Sequence, residues 1–159
     1  MDKTLTISYC EYGSVDELSA ADRELLLRAM ESTTGSYSPY SHFAVGAAVR
    51  MADGNIVTGS NQENVAYPSG LCAERVALFA ASAQHGPDSE IIALAVVGRN
   101  AEGHWVEASP CGACRQVMAE IEGRQKQNMR VLMYLDGGKI RVVKSASSLL
   151  PLAFTAQLG

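Results

Sequence analysis

Residues 91–97 read I-I-A-L-A-V-V, an apolar run without a polar residue at any position. A strand with one face in water alternates polar and apolar residues, whereas a continuous run indicates a strand that is buried on both faces. Such strands occur in parallel or mixed sheets that helices cover on both sides. The run therefore predicts a central strand of an α/β domain.

Helical and extended segments alternate on both sides of this run. The turn signal A-D-G-N at 52–55 predicts a hairpin between two of the strands. Because β-α-β crossovers need helices to cover the parallel strands, the order favours a three-layer αβα sandwich around a mixed five-stranded sheet. The predicted helices lie at 17–34, 71–84 and 111–121, and the predicted strands at 42–51, 56–59, 91–97, 129–135 and 140–143.

Length and composition limit the classes of protein to consider. The 159 residues are the size of one domain, so we interpret residues 1–159 as a single domain in which residues 1–16 form a loose N-terminal arm. The 13 basic and 17 acidic residues give a net charge of −4, which argues against nucleic acid or an anionic membrane as a partner. No apolar run reaches the roughly 18 residues of a membrane span, and the first residues lack a signal peptide's apolar stretch. We therefore expect a cytoplasmic protein.

Three of the four cysteines form a pattern that is typical of metal binding. Cys111 and Cys114 are three positions apart, so they share one face of a helix. This pair and Cys72 lie at predicted helix N-termini, where the helix dipole favours the thiolate, which is the form that binds zinc. Cys10 has no such context and is expected to be an ordinary thiol. The spacing thus predicts a zinc site of three cysteines.

Glu74 follows the first of these three cysteines by two positions. A structural zinc ion normally has four protein ligands, whereas a catalytic zinc ion has three and leaves one position to water. Three cysteines beside a carboxylate that can move protons therefore favour a catalytic site. Two alternatives stay open. C-x-x-C is also typical of redox proteins, and a fourth ligand would make the site structural, the candidates being Cys10, His42, His85 and His104.

The segments C-A-E-R at 72–75 and P-C-G-A-C-R-Q at 110–116 together resemble the zinc-dependent cytidine deaminases of the small, homotetrameric type. Three further segments are similar to that family: S-P-Y-S-H-F-A-V-G-A-A at 38–48, N-Q-E-N-V-A-Y-P at 61–68 and L-L-P-L-A-F at 149–154. The resemblance covers residues 37–154. It implies hydrolytic deamination of cytidine and 2′-deoxycytidine with release of ammonia, one Zn²⁺ per subunit, a nucleoside substrate and a homotetramer.

The resemblance also implies roles for individual residues in the active site. Glu74 is expected to be the proton shuttle, and the backbone N–H of Ala73 is expected to donate to the base carbonyl. Phe43 is expected to pack on the pyrimidine ring, while Asn61 and Glu63 bind the ribose 3′-hydroxyl. The implied zinc ligands are Cys72, Cys111 and Cys114.

Four more residues receive roles around the site by the same resemblance. Arg75 and Gln116 are expected to bond around the thiolates. Tyr67 and Phe154 are expected at subunit contacts and neighbouring active sites. The alternatives to cytidine deamination are deamination of a related aminopyrimidine, such as blasticidin S, and a structural zinc protein without turnover.

Overall fold

The computed structural model describes residues 1–156 of the chain and contains three α-helices and a seven-stranded sheet. The helices are α1 (Ala20–Ser32), α2 (Ala73–His85) and α3 (Gly112–Arg124). The strands are β1 (Tyr9–Tyr12), β2 (Ala44–Met51), β3 (Ile56–Ser60), β4 (Ile91–Arg99), β5 (Trp105–Val106), β6 (Arg130–Tyr134) and β7 (Ile140–Val143). Within residues 1–156, no helix has both the length and the apolar character that crossing a bilayer requires.

The sheet is mixed, as the sequence predicts. Its strand order is β1-β7-β6-β4-β2-β3, and β5 pairs with the end of β4. Strands β4 and β6 run parallel, and the chain between them contains α3. The hairpins β2–β3 and β6–β7 are antiparallel, and so is the β2–β4 pair. The crossover helices therefore lie where the sequence order requires them.

Two apolar cores, one on each face of the sheet, make the molecule a three-layer αβα sandwich. On one face α1 contributes Leu25, Leu26 and Ala29. On the other face α2 and α3 pack against the sheet with residues such as Leu78 and Met118, which are fully buried. The central strand β4 sends side chains into both cores, which explains its uninterrupted apolar run. The predicted layers are confirmed.

The predicted strand count of five is wrong, because the sheet contains two further short strands, β1 and β5. Residues 9–12 pair with β7 from Tyr9–Val143 to Tyr12–Ile140, so the expectation of a loose arm is wrong for this segment. Arg141 stacks over the Tyr9 ring at 4.8 Å and forms an ion pair with Glu11 at 3.2 Å. An edge strand that is largely exposed needs no apolar alternation, and the two residues of β5 are too few to show a period.

Helix α2 approaches β3 closely at a glycine. A Cβ atom at Gly59 would lie 2.5 Å from the backbone nitrogen of Ala77 and 2.7 Å from the carbonyl oxygen of Ala73. Only glycine permits this contact, since real Cβ atoms do not approach backbone atoms so closely. The first turn of α2 is therefore fixed against the sheet, next to the residues that the sequence predicts to be functional.

Candidate active site

The sulfur atoms of Cys72, Cys111 and Cys114 form a cluster in which all three lie within 4.8 Å of one another. Cys72 Sγ is 3.7 Å from Cys111 Sγ, and Cys111 Sγ is 3.6 Å from Cys114 Sγ. Cys72 is the residue before α2, Cys111 is the residue before α3, and Cys114 is buried in the first turn of α3. The fold thus brings the N-termini of two helices together at the predicted ligands.

The donor set of this cluster fits a zinc ion. Thiolates are soft ligands that zinc prefers, and three sulfurs at this separation can face one ion. Among residues 1–156 the cluster contains no fourth His, Cys, Asp or Glu, and Cys10 is exposed on β1 instead. The three cysteines are therefore arranged as the ligands of a site with one position left for a non-protein ligand.

Charge at the cluster favours binding of a cation. The neighbouring Cys114 thiol and the Arg75 guanidinium together outweigh burial and lower the pKa of Cys72 to about 5. Contact with the Cys72 sulfur and burial raise the pKa of Cys114, so Cys72 is the thiol of this pair that ionises first. Arg75 was predicted to bond around the thiolates, and its Nη2 donates to Cys72 Sγ at 3.6 Å. At least one sulfur is therefore negatively charged at neutral pH.

Glu74 lies beside the cluster without belonging to it. Its side chain is only 3% exposed, although it is an acid in the first turn of a helix. Burial raises the pKa of Glu74 to about 7, the negative Cys72 adds to the effect, and Arg75 opposes it. A carboxyl group with a raised pKa can both accept and return a proton near neutral pH.

A cavity of about 560 Å³ opens onto the cluster and Glu74. This volume is in the usual range for small-molecule sites, about 300–1,000 Å³. Most of the residues predicted for the site line it: Phe43, Asn61, Glu63, Tyr67, Cys72, Glu74, Arg75 and Cys111. The predicted residues that do not line it are Ala73, Cys114, Gln116 and Phe154.

Asn61 and Glu63 are held in place by hydrogen bonds to the start of β2 and to the loop before it. Asn61 Nδ2 donates to the carbonyl oxygen of Phe43 at 2.9 Å, and Asn61 Oδ1 accepts from the Val45 backbone nitrogen at 2.8 Å. Glu63 Oε1 accepts from the backbone nitrogens of Tyr40 and Ser41, each at 3.2 Å. Asn61 therefore keeps one N–H, and Glu63 keeps Oε2, for a ligand in the cavity.

Gln116 contacts the C-terminal segment rather than the thiols. Its Nε2 donates to the Phe154 carbonyl oxygen at 2.9 Å. The neighbouring Arg115, which the sequence did not single out, donates to the carbonyl oxygens of Pro110 and Leu149 at 2.8 and 3.0 Å. Within residues 1–156, Gln116 has no hydrogen bond to a cluster sulfur, so its contact with the thiolates stays a prediction.

The two aromatic residues predicted for subunit contacts are exposed. Tyr67 is 77% exposed and Phe154 is 83% exposed. Tyr67 packs edge-on against Tyr40 with ring centroids 6.1 Å apart. Tyr40 and the segment 107–109 also line the cavity, yet sequence reasoning missed them. The hydroxyl-rich loop S-Y-S-P-Y-S at 36–41 offered a weak signal for Tyr40, and residues 107–109 offered none.

The αβα fold, the three-sulfur cluster at two helix N-termini and the adjacent buried carboxyl group define the class of zinc-dependent hydrolytic enzymes. Residues 19–129, more than half of the chain, match the model of one family in this class, the cytidine and deoxycytidylate deaminase zinc-binding region. The chain belongs to this family.

Relatives with a named activity cover most of the chain. The cytidine deaminase of Halalkalibacterium halodurans is 42% identical over 137 residues, which are 86% of this chain and 96% of the relative. The crystal structure of cytidine deaminase from Burkholderia pseudomallei aligns with a TM-score of 0.71 and 42% identity, covering 82% of this chain and 97% of that chain. A blasticidin-S deaminase of Bacillus cereus is 28% identical over 143 residues, which are 87% of this chain and 95% of the relative.

Proposed function

We propose that this protein catalyses the hydrolytic deamination of cytidine and 2′-deoxycytidine to uridine and 2′-deoxyuridine, with release of ammonia. The observation that carries the proposal is the buried Glu74 beside a three-sulfur cluster that contains no fourth protein ligand among residues 1–156. The lower identity to the blasticidin-S deaminase favours cytidine over that alternative substrate.

One Zn²⁺ per subunit would be held by Cys72, Cys111 and Cys114. When bound, such an ion makes a water molecule acidic enough to supply a nucleophile near neutral pH. Arg75 places a positive charge next to the Cys72 sulfur, which offsets part of the negative charge of three thiolates.

Glu74 is the residue that we assign to proton transfer. Its carboxyl group accepts a proton from the attacking water and delivers it to N3 of the cytosine ring. It then takes the second proton from the hydroxyl group added at C4 and passes it to the leaving amine, so that C4 becomes a carbonyl and ammonia is released. Burial keeps bulk water from the carboxyl group, so the proton stays between Glu74 and the substrate.

Substrate recognition is assigned to Phe43, Asn61 and Glu63, which line the cavity, and to Ala73, which lies between the lining residues Cys72 and Glu74 in the chain. Ala73 is the first residue of α2, where a backbone N–H has no partner within the helix, so it is suited to donate to the base carbonyl. Phe43 offers an apolar surface for the pyrimidine ring. The free N–H of Asn61 can donate to the oxygen of a ribose hydroxyl, and the free Oε2 of Glu63 can accept from the O–H of that hydroxyl.

Free nucleosides are favoured over nucleotides by the charge of the cavity. Among residues 1–156 its lining includes the carboxylates of Glu63 and Glu107 and the carboxyl group of Glu74, whereas its one cation, Arg75, is already bonded to Cys72. A 5′-phosphate group would be repelled by the acids.

We propose further that the protein acts as a single-domain cytoplasmic homotetramer. The exposed Tyr67 and Phe154 would then contact neighbouring subunits. Aromatic residues that are exposed in one subunit are typical of interface positions.

The proposed function predicts the behaviour of Glu74→Gln. The amide cannot shuttle a proton, so we expect kcat for cytidine to fall by roughly 10²-fold or more. Zinc content should match that of the wild type, since Glu74 does not belong to the cluster. The measurements are ammonia release and metal analysis of the same preparations. Near-wild-type turnover by this variant would refute the mechanism.

A further inference from the structure

We propose that Gly98 is a positioning residue that sets how deep the Phe43 ring lies below the substrate base. This inference rests on the proposed function, since it assumes that Phe43 contacts the pyrimidine. It concerns Gly98, which lies beneath the Phe43 ring and belongs to none of the five sequence segments that resemble the family. Gly98 lies near the end of β4, opposite Val45 on β2 and opposite Val106 on β5.

The Phe43 ring occupies the space that a side chain at position 98 would fill. A Cβ atom built on Gly98 would lie 2.6 Å from Phe43 Cζ and 3.2 Å from Phe43 Cε2. The same Cβ would lie 3.1 Å from Val106 Cγ2. The ring therefore rests directly on the backbone of β4, with the short strand β5 at its side.

The backbone of Phe43 is fixed while its ring is supported from below. Asn61 Nδ2 donates to the Phe43 carbonyl oxygen at 2.9 Å, and the Phe43 backbone nitrogen donates to Ser41 Oγ at 3.1 Å. Since Phe43 also lines the cavity, its ring separates Gly98 from the ligand space. A methyl group at position 98 requires the ring to move, and we infer that it moves toward the cavity, because the β4 backbone lies on its other side.

This arrangement makes the space between the Phe43 ring and the opposite wall of the cavity depend on Gly98. Under the proposed function the base lies on this ring, so raising the ring by a fraction of an ångström narrows the space for the base and interferes with its binding. The base contacts the ring before and during the reaction, so the loss affects ground-state and transition-state binding alike. The kinetic consequence is a higher KM with little change in kcat.

The test compares Gly98→Ala with the matched control Gly123→Ala. A Cβ at Gly123, on α3, would meet no atom within 4 Å. We expect Gly98→Ala to raise KM for cytidine by roughly tenfold with kcat within about twofold of the wild type, and we expect the control to change neither constant. Zinc content should be unaffected in both variants. An unchanged KM in a folded Gly98→Ala protein overturns the inference.

A double-mutant cycle with Phe43→Leu separates positioning from general damage. Leucine has no atoms at the Cζ and Cε2 positions that the new methyl would meet. In the Phe43→Leu background we therefore expect Gly98→Ala to change KM by less than about twofold. A tenfold effect in both backgrounds would show that the substitution does not act through Phe43.

Two further measurements apply if the Gly98→Ala protein does not fold or if the proposed function itself is wrong. If Gly98→Ala does not fold, Val106→Ala takes its place, because Val106 Cγ2 borders the same space over Gly98 that the Phe43 ring occupies. An increase in KM of roughly threefold that is absent in the Phe43→Leu background supports the inference, and no increase contradicts it. Failure of the proposed function is distinguishable, since the wild-type protein itself would then release no ammonia from cytidine.

Discussion

Cys72 and Glu74 are two positions apart, and on a regular helix two such residues do not face the same way. The two side chains can nevertheless lie close together, because Cys72 precedes α2 and has an extended backbone, with φ −69° and ψ 153°. Its sulfur therefore projects beyond the helix end, while Glu74 is buried in the first turn. A single residue outside the helix is enough to place an acid beside a metal ligand.

Glu63 provides a prediction at the same scale. Glu63→Gln keeps Oε1 for the Tyr40 and Ser41 backbone nitrogens, so the loop should stay in place. It removes the charged acceptor, and we expect KM for cytidine to rise by roughly tenfold. For 3′-deoxycytidine the same substitution should have little effect, because that nucleoside lacks the hydroxyl group.

Steady-state kinetics with both nucleosides check this prediction. Glu102→Gln, which removes a carboxylate in an exposed turn, serves as the control and should leave both KM values unchanged. Equal increases for the two nucleosides in Glu63→Gln would contradict a contact with the 3′-hydroxyl.

Helix α3, which carries two of the three cysteines, is tied to the sheet at its other end by Glu122. This buried carboxylate accepts from the backbone nitrogens of Met129 and Ala146, each at 2.8 Å. It also accepts from the Ser145 hydroxyl at 2.5 Å and from the Ser147 backbone nitrogen at 3.2 Å. One side chain thus connects α3 to the segments that precede β6 and follow β7.

These bonds predict a pH-dependent contribution to stability. Burial alone would raise the pKa of Glu122, but the hydrogen bonds from Ser145, Ser147 and Met129 outweigh it, so the pKa lies below the ordinary 4.5. A lowered pKa in the folded state means that the stabilisation is complete above pH 4.5 and is lost as the pH falls through the folded-state pKa. Glu122→Gln should therefore lower the free energy of unfolding by about 1–3 kcal/mol at pH 7.

Urea unfolding at several pH values checks the prediction. The difference between the wild type and Glu122→Gln should shrink below pH 4.5. Glu120→Gln, an exposed substitution on the same helix, should match the wild type throughout. A difference that stays constant with pH would show that the charge of Glu122 does not contribute.

At the scale of the whole molecule, the cluster joins helices that begin far apart in the chain. Cys72 and Cys111 are separated by 39 positions, and each precedes a different helix. An ion held by both would link α2 to α3 above the sheet. Its binding free energy would add to the stability of the folded state, because the unfolded chain holds no such site.

Metal removal should therefore lower the melting temperature. An ion at about 100 times its dissociation constant contributes about 2.7 kcal/mol, which corresponds to a shift of roughly 5–10 °C for a domain of this size. Calorimetry before and after chelation, and after zinc is restored, measures the shift. Cys72→Ser should abolish it, whereas Cys10→Ser, in the exposed edge strand, should retain it.

Local patterns in the sequence determined the layers and the chemistry of this protein. The apolar run at 91–97 predicted the central strand, because burial on both faces requires apolar residues at successive positions. The cysteine spacing with Glu74 predicted the cluster, because ligands of one ion must lie at fixed distances from one another. The resemblance of five segments to one family supplied the residues predicted to bind substrate, which no single spacing could have identified.

Only the tertiary structure decided what depends on contacts between distant segments. It added β1 and β5 to the sheet, because pairing with β7 and β4 fixes these short strands although they carry no pattern of their own. It connected Gln116 to Phe154 and placed the Phe43 ring on Gly98. Such contacts are set by how packed elements approach one another, and that distance is a property of the folded core rather than of any local stretch of residues.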